Sequence, residues 1–269
     1  MADTITTIAR DLSSIRARKP LIHSMTNFVV MNETANATLC IGALPIMSHA
    51  IDEVEEMVGI SGALVLNIGT LTQEWVTAME VAGKAANARG IPVILDPVGA
   101  GASRLRTDSA KRLLDNVKIS VVRGNAGEVA TLVGAAAEVR GVESISSSEP
   151  AGVIAGRLAS AYGCTVAITG AVDVVSDGHR KASVSNGDVM LSKVVGTGCM
   201  SNVIVAAFAA VNDDPFVAAV GGLAAFGIAG EMAAMVSGDR PGTFHVELYN
   251  ELYALTSADI AAKAKIALE

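Results

Sequence analysis

The chain has 269 residues, 51% of them hydrophobic and only 3% aromatic, a composition that supports one large core and excludes disordered or collagen-like structure. A formal net charge of −7 excludes broad nucleic-acid binding, which needs a basic surface to displace counterions from phosphates. Cys40, Cys164 and Cys199 lie far apart with no Cys-x-x-Cys pair, which excludes a zinc-finger or disulfide framework and points to a reducing, cytoplasmic setting.

The opening stretch, MADTITTIARDLSSIRARKP, mixes charges of both signs without a continuous apolar run, so it reads as a helix and not as a secretory signal. Four short apolar runs then end at Gly, Asn or Asp: ALVLNIG at 63–69, IPVILDPVG at 91–99, ISVVRGN at 119–125 and VAITG at 166–170. Between them, TQEWVTAMEVAGKAANARG and TDSAKRLLDNV have helical spacing, with Gly90 placed as a helix stop. Strand–helix alternation of this kind predicts an α/β layered fold, a mostly parallel central sheet flanked by helices, in one domain covering residues 1–269. In such sheets ligands bind beyond the carboxyl ends of the strands.

The polar segment 138–150, with three serines in a row, reads as a surface loop within that domain. After it come a helix, AGVIAGRLASAYG, a strand, and antiparallel strands around VVSDG and HRKASVSNG, whose Asp-Gly and Asn-Gly pairs are hairpin signals. From Cys199 onward the sequence is mostly helical. Segment 217–236 approaches membrane-spanning length, but its Ala/Gly content and Glu231 favour a buried core helix, so no membrane association is expected.

Three clusters at strand ends carry chemistry. Gly196-Thr197-Gly198-Cys199 precedes an apolar helical run; glycines there let backbone N–H groups approach an anion at the positive end of a helix dipole, although a tight helix-entry turn uses the same residues. Arg123-Gly124-Asn125-Ala126-Gly127-Glu128 follows a strand and opens a helix. Glu128 could hold hydrated Mg²⁺, or Asn125 and Glu128 could form a capping box; Arg123 could clamp phosphate or snorkel from the strand end. Asp96, before Pro97 and a glycine-rich turn, either organises metal-bound water and phosphate or shapes an Asp-Pro turn.

Taken in order, PLIHSMTNFVVMNETAN, LPIMSHA, ALVLNIGTL, VILDPVGAGAS, VVRGNAGE, VAITGAVDVV and VVGTGCM make the chain closely similar to the hydroxyethylthiazole kinase family over residues 20–246. The resemblance implies a ribokinase-like fold and ATP- and Mg²⁺-dependent phosphorylation of a thiazole alcohol. It implies that Met47 contacts the thiazole with Asn27 nearby, that Arg123 and Thr169 contact ATP, and that Gly196 belongs to the substrate and anion-hole region. Asp96 and Glu128 are expected to organise Mg²⁺ and phosphates, with Asn125 sharing the superfamily's Asn-x-x-Glu pattern. Gly198 and Cys199 complete the catalytic turn.

Members of the family resemble one another in forming homotrimers with interfacial thiazole sites. Many ribokinase relatives carry an aspartate where Cys199 stands, and a thiol near pKa 8.5 is a weak base at neutral pH, so Cys199 is expected to position the hydroxyl. The alternatives are a ribokinase-like kinase of another small alcohol, such as hydroxymethylpyrimidine or a sugar, and a non-catalytic thiazole sensor.

Overall fold

The computed structural model describes residues 2–135, 137–140, 143–147 and 149–269. In its first half, α1 (Ala2–Arg18) leads into β1 (Leu21–Met25), α2 (Met31–Ile41), β2 (Leu44–Ile46), α3 (Val54–Gly59), β3 (Ala63–Asn67), α4 (Gln73–Ala88), β4 (Val93–Asp96), α5 (Arg104–Asn116), β5 (Val121–Asn125) and α6 (Ala126–Leu132). The second half holds β6 (Ala137–Arg140), β7 (Glu143–Ser147), α7 (Ala151–Tyr162), β8 (Thr165–Thr169), β9 (Asp173–Ser176), β10 (Lys181–Val184), a 3-10 turn at Val189–Lys193, α8 (Thr197–Ala209), α9 (Pro215–Ser237), α10 (Pro241–Ala254), α11 (Ser257–Lys263) and β11 (Ile266–Leu268).

Nine strands form one sheet in the order β11-β10-β9-β8-β5-β4-β3-β1-β2. From β2 to β8 every pairing is parallel, while β9, β10 and β11 add an antiparallel edge. Because side chains alternate across a strand, the central strands feed two cores at once. Ala63 and Val65 of β3 face the core built with α1, α2, α8 and α9, whereas Leu64 and Leu66 face the core built with α4, α5 and α7. This is the α/β layered architecture that the strand–helix alternation predicts.

Three expectations change. Segment 138–150 is not a plain loop: β6 and β7 pair antiparallel as a separate two-stranded ribbon, while residues 141, 142 and 148 lie outside the described residues. Asp177-Gly178 does close the β9–β10 hairpin, but Asn186-Gly187 does not close another. The Asn186 side chain instead donates to Lys263 O and accepts from Lys265 N, at 2.9 and 2.7 Å, which draws the C-terminal segment alongside β10. That segment forms β11, a strand inside the region expected to be helical.

Segment 217–236 lies within α9, which is long and apolar enough to cross a membrane but is mostly buried inside the fold. Glu231, its one charge, accepts from Gly187 N at 2.9 Å and from Lys265 Nζ at 3.0 Å, so the carboxylate braces the loop after β10. Close packing against α8 relies on small residues: a Cβ on Gly222 would sit 2.7 Å from Val205 Cα. Gly222→Ala gains intrinsic helix propensity but forces two backbones apart, and the overpacking dominates. We expect a net loss of about 1–3 kcal/mol in urea denaturation.

Candidate functional site

The parallel strands β1, β3, β4, β5 and β8 end side by side, and α8 begins over those ends. Asp96 is the last residue of β4 and is almost fully buried. Its Oδ2 accepts from Asn67 Nδ2, at the end of β3, at 2.6 Å, and from Asn202 Nδ2, in the second turn of α8, at 2.7 Å. Asn67 also donates to Cys199 Sγ at 3.2 Å, while Asn27 donates to Asn67 Oδ1 at 2.9 Å and approaches Cys199 Sγ at 3.6 Å. Asn27, Asp96 and Cys199, three residues singled out from sequence, therefore occupy one network. Its other members, Asn67 and Asn202, were not anticipated.

Glu128 carries out the capping reading. Asn125 Oδ1 accepts from Glu128 N at 2.9 Å, and Glu128 Oε2 accepts from Asn125 N at 2.8 Å. Its other oxygen, Oε1, accepts from Gly99 N at 2.8 Å, so the same carboxylate joins the turn after β4 to the start of α6. The Asp96-Pro97 turn itself is closed by the backbone, Ala100 N to Pro97 O at 2.9 Å, leaving the Asp96 carboxylate to the asparagine network. Arg106, also unanticipated, donates to the carbonyls of Ile68, Gly69 and Val98 and so ties the loops after β3 and β4 together.

Arg123 is partly buried and, among the described residues, pairs with no carboxylate. Its Nη2 donates to Thr169 Oγ1 at 2.7 Å, and its buried Nε has no hydrogen-bond partner among the described residues. A Cβ on Gly198 would lie 2.8 Å from Arg123 Nη1, so glycine is what allows the guanidinium against the first turn of α8. Gly196 caps that helix with φ +88°, and a Cβ there would meet Val30 at 2.6 Å. The helix-entry turn and the exposed N–H end of α8 are thus one feature, since the first N–H groups of a helix lack partners within it. Met47 sits just past β2, half-buried, beyond the His23–Ile46 pair and one strand over from the segment leading to Asn27. No hydrogen bond joins it to the Asp96 network.

Burial raises the pKa of Asp96; Arg123 opposes this and the neighbouring Glu128 charge reinforces it. Burial likewise raises Glu128, against the N–H groups of Gly99 and Asn125 and the charge of Arg123. Cys199 is pushed up to about 12, by burial first and then by the Asp96 charge, so its thiol remains protonated across the physiological range. The helix end does not make it a thiolate.

A cleft of about 510 Å³ opens beside this network. Arg123, Thr169, Thr197 and Gly198 line it together with Leu223, Phe226 and Gly227 of α9. Polar, cationic and helix-end groups thus share one cleft with an apolar wall. A second cleft of about 590 Å³ lies at the start of α4, where His49 stacks on Trp75 with ring centroids 4.6 Å apart.

The mixed, mostly parallel nine-stranded sheet flanked by helices has a ribokinase-like fold. A solved ribokinase-like superfamily protein from Enterococcus faecalis superposes with a TM-score of 0.61 over 88% of this chain and 87% of its own; at 12% identity it speaks for the fold alone. A description of the Hydroxyethylthiazole kinase family matches residues 12–258, and the chain belongs to that family. It is 52% identical to a hydroxyethylthiazole kinase from Roseiflexus castenholzii over 97% of this chain and 96% of that protein. The solved hydroxyethylthiazole kinase protein from Pyrococcus horikoshii is 42% identical, with a TM-score of 0.89 over 97% and 98% of the two chains.

The raised Asp96 carboxyl generates a prediction. A group protonated more readily in the folded than in the unfolded state contributes stability at low pH that is lost as pH rises through its folded pKa. Asp96→Asn removes the buried charge, so in chelator-treated protein the melting temperature should rise by about 2–4 °C at pH 8, a gain of about 1 kcal/mol, and change little at pH 4. Thermal denaturation at the two pH values checks this, and a fall at pH 8 would contradict it.

Proposed function

We propose that this chain transfers the γ-phosphoryl group of ATP to the primary alcohol of 4-methyl-5-(2-hydroxyethyl)thiazole in thiamine salvage. The observation that carries the reading is the meeting of Arg123, Thr169 and the Thr197–Gly198 helix entrance at one cleft beside the Asp96 network, in a chain that belongs to the hydroxyethylthiazole kinase family. ATP lies against Arg123, Thr169 and the Asn125 turn. The thiazole lies toward Asn27, Met47 and Gly196. In-line transfer then depends on alignment and charge neutralisation, to which Arg123 and the N–H groups of Gly198 and Cys199 contribute.

The residues fit a hydrated magnesium ion and not a closed cage. Among the described residues no three His, Cys, Asp or Glu side chains form a group suited to a metal. Asp96 and Glu128 are two buried carboxylates that both feel the charge of Arg123, which lines the cleft, and magnesium needs one or two carboxylates together with phosphates and water. Bound there, the ion neutralises charge on the phosphates. Asp96 and Glu128 would hold it, the first oriented by Asn67 and Asn202, the second by Gly99 and Asn125.

We further propose that the chain acts as one kinase domain in the cytoplasm and assembles as a homotrimer whose subunits complete one another's thiazole sites. Phe28 and Val29, next to Asn27, are 63% and 61% exposed, an apolar pair suited to cover by a second copy.

The direct test is ADP release by purified protein with ATP and Mg²⁺, with the thiazole alcohol, hydroxymethylpyrimidine and a sugar panel offered separately. Thiazole-dependent release with phosphothiazole confirmed by mass is expected; release only with another alcohol reassigns the acceptor, and binding without turnover makes the chain a sensor. Cys199→Ala should keep kcat within about tenfold, because a protonated thiol supplies no base, whereas a lost general base costs about 10²–10⁴-fold. Glu128→Gln should lower kcat and raise the Mg²⁺ concentration needed for half-maximal rate. An unchanged rate and Mg²⁺ dependence would remove Glu128 from the metal site.

A further inference from the structure

The cleft that takes the nucleotide in this reading also contains two carboxylates that none of the assigned roles uses: Asp188, which caps the 3-10 turn through Met190 N at 2.8 Å, and Asp173, which stands beside Arg123. Asp173, the first residue of β9, lines it beside Arg123, Thr169 and Gly170. Its Oδ1 accepts from Gly170 N at 3.0 Å, closing the turn between β8 and β9. Among the described residues its Oδ2 has no hydrogen-bond donor. Turn closure does not need that second oxygen, since Oδ1 alone accepts the Gly170 N–H.

The contrast with Asp177, in the next turn of the same hairpin, is informative. Asp177 accepts from His179 N and Arg180 N through Oδ1 and from Arg180 Nε through Oδ2, so both of its oxygens are satisfied by the protein. Asp173 is left half-served, and burial, opposed by the Gly170 N–H and Arg123, pushes its carboxyl up to about 6. It is still mostly ionised at neutral pH, and its second oxygen is open to donors that a ligand in the cleft can present in place of water.

A bare carboxylate at a site for a polyanion weakens binding unless the ligand presents donors to it. Position narrows the choice of donor. Asp173 is joined through Gly170 to Thr169, whose hydroxyl accepts from Arg123, so it stands next to the phosphate-binding residues. The group that follows the phosphates along a nucleoside triphosphate is the sugar. Leu223, Phe226 and Gly227 offer the base an apolar wall instead. A ribose places two vicinal hydroxyl donors on one edge, and a carboxylate oxygen accepts such donors strongly.

We propose that the Asp173 carboxylate accepts the ribose hydroxyls of the nucleotide and makes this cleft selective for ribonucleoside over deoxyribonucleoside triphosphates. The proposal rests on the nucleotide reading of the cleft, but not on the identity of the phosphate acceptor.

The test is calorimetric binding, with Mg²⁺ and without any alcohol, of ATP, 2′-deoxy-ATP and 3′-deoxy-ATP to the wild type, Asp173→Ala and Asp173→Asn. The wild type should bind at least one deoxy analogue about tenfold more weakly than ATP, the loss of one charge-assisted hydrogen bond. Asp173→Ala should weaken ATP by about the same factor while leaving that analogue within about twofold, so that the ratio falls toward one. Asp173→Asn keeps an acceptor for Gly170 N–H and should also lower the ratio, which guards against a turn collapsed by alanine. Equal affinity of the wild type for all three nucleotides overturns the proposal. So does a ratio that both variants leave unchanged. Failure of thiazole turnover with discrimination intact would reject the acceptor alcohol and leave Asp173 in its role.

Discussion

Burying the Asp96 carboxylate at the end of a strand covered on both faces is costly unless donors are brought to it, and the rest of the site follows from how they are brought. Asn67 arrives from the neighbouring parallel strand, at the position paired with Asp96 itself, so sheet register fixes one donor. Asn202 arrives from α8, one helical turn beyond Gly198, so the height of that helix above the sheet fixes the other. A one-residue slip of β3 against β4 would turn Asn67 to the opposite face. Strand pairing and helix docking are therefore tied to the same carboxylate oxygen.

The height of α8 is in turn set by glycine. Gly198 admits the Arg123 guanidinium against the helix start, Gly196 takes the left-handed turn over Val30, and Gly222 lets α9 approach the α8 backbone. A larger residue at any of the three would lift or tilt the helix whose Asn202 holds Asp96. The packing of an apolar core helix and the orientation of a polar group at the sheet edge are one problem, solved by omitting side chains where backbone or guanidinium must come close.

Much of this was legible in the sequence. Apolar runs ending in Gly, Asn or Asp gave the parallel strands, and the polar residues at or just after their ends gave Asp96, Arg123 and Glu128 as candidates, each with a structural alternative, whereas Thr169 came from family resemblance. Asn67 carried the same signal, the last residue of ALVLN, but an asparagine at a strand end reads equally well as a turn residue. Asn202 was visible as a polar residue in an apolar helical run, yet its partner lies 106 positions away. Local pattern carries no information on such pairings. The Asn186-Gly187 hairpin failed for a related reason: its asparagine bonds to the chain end, a long-range choice that overrides turn propensity. Met47 owed its place to family resemblance alone, since a thioether makes no directional bond that geometry could display.

The distribution of charge explains how an acidic chain can serve a polyanionic co-substrate. At the cleft, Arg123 stands with the positive end of α8, whereas Asp96 and Glu128 are each neutralised in part by N–H donors from asparagine or backbone. A chain of net charge −7 repels a polyanion at long range, so binding must come from short-range contacts at the cleft, beside the buried Asp96 network. That setting also disfavours an ionised thiol, and it is why Cys199 stays protonated although it begins a helix: loss of hydration and the nearby carboxylate outweigh the helix dipole. A neutral sulfur held by Asn27 and Asn67 presents a polarisable surface without a charge to repel phosphate. In a site governed by charge neutralisation, its lack of basicity is consistent with an orienting role beside the reacting groups.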